Sequence, residues 1–553
     1  MQFTHGLLLI ATLTIAAPAQ TVKMQVDAAH PGVPYRAVWN YFGADEPNYT
    51  YAPDGTQLLG ELSQMDPATP VYFRPHNLLT SGDGEGSLKW GSTGVYREAP
   101  DGSAIYDWTI TDKLFDNLVV THIRPMVEIG FMPEALSPHP TPYRHSFPKG
   151  EIFTGWSYPP KDYAKWRALI VAYVEHLLYR YGTEVERWKW EVWNEPDIRY
   201  FHGSVEEYEK LYDITTGAIH QVLPTAFVGG PAVTGPSRTD KDSFLWKFLD
   251  HCAHGINADT GKPGVPLDFI SFHPKGSPAF EADPAPGHVR MSLAHQLRVT
   301  DNGFKLVASF PEFRATPIIL SESDPEGCAA CQGPRNGYRN GTLYGVSVAE
   351  NLARTAELAR LRGVNLQGAV TWAFEFEGQP WFAGFRDLAT NGVDKPVLNV
   401  FRLFARLSGN LLPMTSSANI PAEQIEASGV GGAPDIGGIA TRDHNAVDVI
   451  LWNYHDADLP APAADVTLAI DGIRASRVHV AVYRVDHDHG NAYTAWLAQG
   501  SPEHPTAEQV AALKAASHLE PAADSTLTKP ANAALTLTTQ LPRQAVVLYR
   551  ITW

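Results

Sequence analysis

Between Ala37 and Phe374 the chain alternates two textures: short apolar runs that close on polar residues, glycine or proline, and longer stretches with helical spacing. The runs are AVWNYFG from Ala37, VYFRPHN from Val71, HIRPMVEIGF from His122, WKWEVWNEP from Trp188, AFVGGPA from Ala226, LDFISFHP from Leu267, PIILSESD from Pro317 and LQGAVTWAF from Leu366. Each predicts a buried strand. The clearest helix has Tyr163, Trp166, Leu169, Ile170, Tyr173, Val174, Leu177, Leu178 and Tyr181 on one face, with Gly182 placed to end it. A second is expected over 342–361. Strands alternating with helices pair in parallel through crossovers, and eight such units predict an α/β fold, a closed (β/α)8 TIM barrel. No G-x-G-x-x-G follows an early run, so a Rossmann nucleotide site is not expected.

After about residue 410 the helical spacing fades. AVDVILWNYH, ADVTLAIDGI, RVHVAVYRV, ALTLTTQLP and AVVLYRITW predict an additional C-terminal antiparallel β-sandwich, with GGAPDIGG near Gly432 as an exposed loop. The expected organisation is a segment to be removed over 1–19, a catalytic barrel over 20–408 with its first residues free to join the sandwich, and the sandwich over 409–553.

The segment 1–19 reads as a secretory signal peptide, with an apolar run from Gly6 to Ala17 and an Ala17-Pro18-Ala19 cleavage pattern. The alternative is a buried N-terminal strand or helix. No run reaches the length of a membrane anchor, so a periplasmic or secreted protein is expected. The net charge of −17 disfavours a phosphate backbone, so no nucleic-acid partner is expected. Of three cysteines, Cys328 and Cys331 form a C-x-x-C pair without a second pair to complete a zinc site, leaving a loop-tightening disulfide or two free thiols.

Barrel enzymes carry their chemistry at the C-terminal strand ends. Two carboxylates there stand out. Glu195 follows the WKWEVW run, with Pro196 fixing the next turn; Asp197 fits a helix cap and Glu191 a place inside the strand. Glu322 ends PIILSE, where Arg74 is placed to hold it ionised. Two carboxylates across a cleft are the equipment of a glycosidase, one protonating the leaving oxygen and one attacking the anomeric carbon. That chemistry needs no cofactor and no metal.

The ordered segments FRPHNLL, RPMVEIGFMPEAL, EVWNEPD, VGGPAV, FISFHPKG, ILSESDPEG, GFRDLATNGVDKPVLNVFRLFARL and YRVDHDHGNAYTAWLAQGSPEHPTAEQVAAL run almost end to end. On them the chain resembles glycoside hydrolase family 39, the family of β-xylosidases and α-L-iduronidases. The resemblance implies Glu195 as general acid/base, Glu322 as nucleophile, Asn194 at the sugar 2-hydroxyl, and His76, His273 and Trp372 along the glycone subsite. It makes Asp486-His487-Asp488-His489 a structural turn rather than a metal site. Where the family often has an aromatic residue two after the sixth-strand histidine, this chain has Lys275; where its nucleophile is often followed by Trp and Asn, Ser323 and Asp324 follow here. Lys275 with Arg335 or Arg339 would suit a carboxylated sugar. The expected function is an exo-acting retaining β-xylosidase on xylo-oligosaccharides or small glycosides, the alternatives being arabinose-containing or uronic-acid glycosides. A catalytically silent sugar-binding barrel is disfavoured because Asn194, Glu195 and Glu322 are all present.

Overall fold

In the computed structural model, which describes residues 20–281 and 287–553, eight parallel strands close into a barrel. They are β1 (Tyr41–Ala44), β2 (Tyr72–Pro75), β3 (Arg124–Ile129), β4 (Lys189–Val192), β5 (Phe227–Thr234), β6 (Phe269–His273), β7 (Pro317–Leu320) and β8 (Asn365–Thr371). β8 completes the ring on β1. The helices that return the chain between them are α1 (Pro53–Gln64), α2 (Thr109–Val120), α3 (Tyr163–Tyr181), α4 (Val205–Val222), α5 (Phe244–His254), α6 (Leu293–Ala308) and α7 (Thr342–Arg362), and α8 (Pro396–Phe404) follows β8. This is the expected (β/α)8 fold. The signal peptide expected over 1–19 lies outside the described residues. Among those described, no helix is long and apolar enough to cross a membrane.

Local chemistry explains the element ends. Asp162 caps α3 by accepting from the amides of Ala164 and Lys165, and Gly182 ends it at φ 58°. Ser204 and Glu207 close a capping box on α4. Gly363 ends α7 in the left-handed conformation.

Side-chain alternation along β4 sorts its residues into two layers. Trp190 and Val192 join the apolar layer beneath the helices, together with Trp166, Ile170 and Tyr173 of α3. Lys189 and Glu191 take the other side. Lys189 places its ammonium 4.7 Å from the Tyr72 ring centre and 4.5 Å from that of Phe227. Burial there lowers its pKa to about 8. Stacked pairs pack around it, Tyr41 on Tyr72 at 4.9 Å and Phe227 on Phe269 at 5.5 Å. Gly368 makes room, since a Cβ there would lie 2.3 Å from the Tyr41 ring.

The second unit has two sheets. One orders Met414–Ser416, Thr21–Asp27, Ala464–Asp471 and Leu535–Leu541; the other orders Asn410–Leu411, Asp435–Asp443, Ala446–Tyr454, Ala545–Thr552, Arg477–Val485 and Pro521–Thr528. Val22, Met24 and Val26 share a core with Val447, Val449 and Leu451. The sheets are antiparallel except at one seam, where Thr21–Asp27 pairs in parallel with Ala464–Asp471. The GGAPDIGG stretch is the expected exposed loop only in its first half, over 431–434. Asp435 opens a strand that runs to Asp443, and Gly437 is needed within it because a Cβ would strike the Trp452 indole at 2.8 Å. Glycines that signal a turn in sequence here serve a close approach.

Three short helices also go beyond the sequence expectation: α9 (Ala422–Ser428), α10 (Ala492–Ala498) and α11 (Ala507–Ser517). At 7 to 11 residues they are too short for a clear apolar period. Tyr493 and Trp496 of α10 pack on Phe382 in the segment after β8, with ring centres 5.4 and 5.2 Å away. The turn before α10 is closed by Asp486, which accepts from the amides of Asp488 and His489 and pairs with Arg484 and His489. Asn399 of α8 donates to the carbonyl of Gly490 in the same turn.

Barrel and sandwich are clamped by Arg354 of α7. Its guanidinium meets Glu350 at 2.7 Å, Glu357 at 2.9 Å and Asp435 of the sandwich at 2.6 Å. Burial, with Asp435 beside it, pushes the Glu350 carboxyl well above its usual range. Arg354→Met leaves Glu350 and Asp435 buried without their cation. The expected loss is about 3–5 kcal/mol of stability, read as a lower midpoint in denaturant unfolding.

Candidate active site

Arg74 of β2 is fully buried and organises the C-terminal mouth of the barrel. It meets Glu128 of β3 at 2.7 Å, Glu191 of β4 at 2.5 Å and Glu322 beyond β7 at 3.3 Å, and donates to Asn194 Oδ1 at 3.0 Å. His76, two residues on, has Nδ1 3.0 Å from Asp45 and Nε2 3.0 Å from Glu128 and 3.6 Å from Glu322. Burial alone would favour the neutral ring. The surrounding carboxylates outweigh it and raise the imidazole well above its ordinary value. The Trp372 ring lies 4.3 Å from that of His76 and 5.0 Å from the Arg74 guanidinium carbon. Gly43 of β1 admits it, since a Cβ there would meet the indole at 2.3 Å.

The turn after β4 aims the next side chains. Trp193 and Glu195 have φ of 69° and 44°, in the left-handed region that non-glycine residues enter at a cost of about 1–2 kcal/mol each. Backbone bonds hold them there: Trp193 N–H donates to Ile129 at 3.1 Å and Glu195 N–H to Ala232 at 2.8 Å. Local strain maintained by its surroundings is a signature of functional turns. Asn194 thereby points at Arg74, and Glu195 at His273, whose Nδ1 is 2.9 Å from Oε1. Asp197 corrects the expectation of a helix cap. It accepts from the Thr234 amide at 2.9 Å and from its hydroxyl, tying the turn to the end of β5, while α4 starts later, behind Ser204. Burial raises Asp197 to about 6.

His273 at the end of β6 lies between the two outstanding carboxylates. Its Nε2 meets the Ser321 hydroxyl at 3.0 Å, fixing the ring, and Nδ1 is 3.7 Å from Glu322. One oxygen each of Glu195 and Glu322 and one nitrogen of His273 lie within 4.8 Å of one another. Lys275 pairs with Oε2 of Glu322 and, at 2.9 Å, with Asp324. Burial would raise the Glu322 carboxyl, but Lys275, His273, His76 and Arg74 together hold it well below the usual carboxylate range. Asp324 is itself anchored by the Trp372 amide at 3.0 Å and by Arg386 at 3.4 Å.

The residues expected to carry the chemistry and line the glycone subsite therefore fall in one cluster: Arg74, His76, Asn194, Glu195, His273, Glu322 and Trp372. Glu128, Asp45, Asp324 and Arg386 were not assigned a place in it. Asp45, Glu128 and Asp324 carried a signal, each lying at or near the end of an apolar run; Arg386 carried none, lying in a loop. Arg339 corrects the expectation of a sugar-facing cation. It is buried, donating to the carbonyls of Cys328, Cys331 and Gly384 and pairing with Glu326, so it stiffens the loop that the Cys328–Cys331 disulfide closes. Beside the cluster, Lys89 bridges Asp45 at 3.0 Å and the Tyr200 hydroxyl at 3.1 Å. Trp90, Trp156 and Tyr200 wall this side. The SYPPKDY segment leads into α3, and its Tyr158 stacks on His202 at 4.3 Å.

The family model for glycosyl hydrolases family 39 matches residues 22–536. The chain belongs to glycosyl hydrolases family 39. It is a glycoside hydrolase, and its substrates are glycosides. It is 29% identical over 468 residues to a β-xylosidase of Geobacillus stearothermophilus, covering 80% of this chain and 79% of that one. It is 26% identical over 489 residues to an α-L-iduronidase of Mus musculus, covering 82% and 70%. A monomeric β-xylosidase from Caulobacter crescentus CB15 shares the fold, with a TM-score of 0.74, 23% identity and coverage of 96% and 99%.

In this family 39 hydrolase, removing the Arg74 guanidinium would strand Glu128 and Glu191 in the barrel. Arg74→Met is expected to cost roughly 3–5 kcal/mol of stability. Arg74→Lys should recover less than half of it, because one ammonium cannot present a fork to several carboxylates. Denaturant unfolding of the two variants measures both.

Proposed function

We propose that this hydrolase is a retaining, exo-acting β-xylosidase that releases terminal xylose from short xylo-oligosaccharides, with Glu195 as acid/base and Glu322 as nucleophile. The observation that carries this reading is the approach of the two carboxylates, with one oxygen of each inside the 4.8 Å cluster. Retaining glycosidases set their carboxyl groups about 5–5.5 Å apart, whereas inverting ones leave about 6.5–9.5 Å for a water. The surroundings divide the labour. Glu322 meets Arg74, His76 and Lys275 and suits an anionic nucleophile. Glu195 meets His273 and is the more exposed of the two, the setting of a carboxyl that exchanges protons.

Glu322 attacks the anomeric carbon as the bond to the leaving oxygen breaks, and that oxygen takes the Glu195 proton. Water then attacks the same carbon, gives a proton to Glu195 and releases Glu322 as an anion. Asn194, held through Oδ1 by Arg74, keeps its amide hydrogens for the sugar 2-hydroxyl. The recess beside the cluster that His76 and Asp45 share with Trp90, Trp156 and Tyr200 supports exo action.

A uronic-acid glycoside is the second reading. It is favoured by the Lys275 ammonium beside the carboxylate pair and by the similarity to α-L-iduronidases.

Turnover of a nitrophenyl β-D-xyloside is expected, with the β-anomer of xylose appearing first by NMR. Glu195→Ala and Glu322→Ala should each lose roughly a thousandfold or more, and azide should rescue them to products of opposite anomeric configuration. Inversion at the first product would remove the retaining assignment. Turnover of uronides in place of xylosides would select the second reading.

A further inference from the structure

The two oxygens of Glu322 are not equivalent. Oε1 accepts from Arg74 Nη1 at 3.3 Å and has two imidazole nitrogens further off, His76 Nε2 at 3.6 Å and His273 Nδ1 at 3.7 Å. Oε2 meets the ammonium of Lys275. If Glu322 is the nucleophile, as proposed above, the oxygen left to form the glycosyl bond is Oε2. The Lys275 ammonium is in contact with that same oxygen.

Lys275 also has somewhere to go. Its second partner, Asp324 Oδ2 at 2.9 Å, is buried and fixed by the Trp372 amide and by Arg386. A small swing of the lysine chain therefore clears Oε2 without separating the ammonium from an anion. A lysine with one carboxylate partner would have to leave a buried charge unpaired, which costs several kcal/mol.

We propose that Lys275 is a displaceable counter-ion: it caps Oε2 of Glu322 in the free enzyme and withdraws onto Asp324 when the glycone enters. Charge then balances through the cycle. In the resting site the ammonium faces two carboxylates. When Oε2 bonds to the anomeric carbon and the leaving oxygen departs with its electron pair and the Glu195 proton, Glu322 becomes a neutral ester. Lys275 and Asp324 remain as a neutral pair. Hydrolysis of the ester restores the Glu322 anion, and the ammonium returns to it.

The other charged groups acting on Glu322 are Arg74 of β2 and His76 just after it, His273 from β6, Glu195 from the β4 turn and, further off, Asp45 after β1 and Arg386 from the loop after β8. Lys275→Met leaves all of these in place. Removing a cation from a carboxyl raises its pKa, so the acidic limb of kcat/KM should move up by at least one pH unit in this variant and stay in place in Lys275→Arg. A second readout needs no turnover. A protonated iminosugar puts a cation where the Lys275 ammonium sits, so calorimetry at neutral pH should find it bound at least tenfold more tightly by Lys275→Met, relative to neutral xylose. Asp324→Asn, which removes the second berth, should lower kcat/KM tenfold or more and add little on top of Lys275→Met.

An unmoved acidic limb together with an unchanged iminosugar-to-xylose preference, in a Lys275→Met protein that melts cooperatively, would overturn the counter-ion role. Failure of the wild-type protein on every xyloside and uronide would instead defeat the proposed function, and the calorimetric comparison would still decide the place of Lys275.

Discussion

The barrel mouth depends on one buried guanidinium. Arg74 sits on β2, yet it is bound to side chains from β3, from β4 and the turn after it, and from the segment beyond β7. Arginine suits this place because its planar fork serves several acceptors while keeping its charge. The ion cluster does not make the fold cheap, since every charge in it has been taken from water. What it does is fix geometry. Glu128 and Glu191 hold Arg74 from below, so Arg74 can orient Asn194 and Glu322 above. A cluster of this kind tolerates few rearrangements, and that rigidity is what a site acting on one carbon atom requires.

Much of this was legible in sequence because burial leaves a strong trace. A strand covered on both faces reads as an apolar run, and a helix lying on a sheet reads as a 3.6-residue period. All eight strands and the long helix ahead of Gly182 follow from those two signals. Strand ends were informative for the same reason: a carboxylate that interrupts an apolar run, as Glu195 and Glu322 do, has a use. What stayed hidden had no period. Arg386 acts from a loop, and its meeting with Asp324 depends on how two excursions fold over the barrel. Lys275 was visible as an unusual residue, but the sequence could not say that it faces Glu322 and Asp324 at once. Asp197 was misread because a carboxylate after a strand more often caps a helix, and here the helix starts later.

The sandwich is joined to the barrel through chemistry as well as packing. Arg354 and Asp435 make a charged seam, and Tyr493 and Trp496 press on Phe382. Phe382 belongs to the loop that continues to Arg386, and Arg386 reaches Asp324. The outer unit thus braces the same loop that anchors one of the site's carboxylates. This continuity was invisible in a sequence where the two units differ so plainly in texture.

The parallel seam between Thr21–Asp27 and Ala464–Asp471 bears on how the molecule is made. These strands are adjacent in space and lie on opposite sides of the barrel in chain order. A ribosome delivers the first of them long before its neighbour exists, and the whole barrel is synthesised in between. Contacts so distant along the chain are slow to form, and an unpaired strand edge is exposed while they do. The polar, solvent-facing residues of that strand, Thr21, Lys23 and Gln25, alternate with Val22, Met24 and Val26. With a lysine on its outer face, the waiting strand has one of the features by which natural edges avoid pairing with the wrong partner.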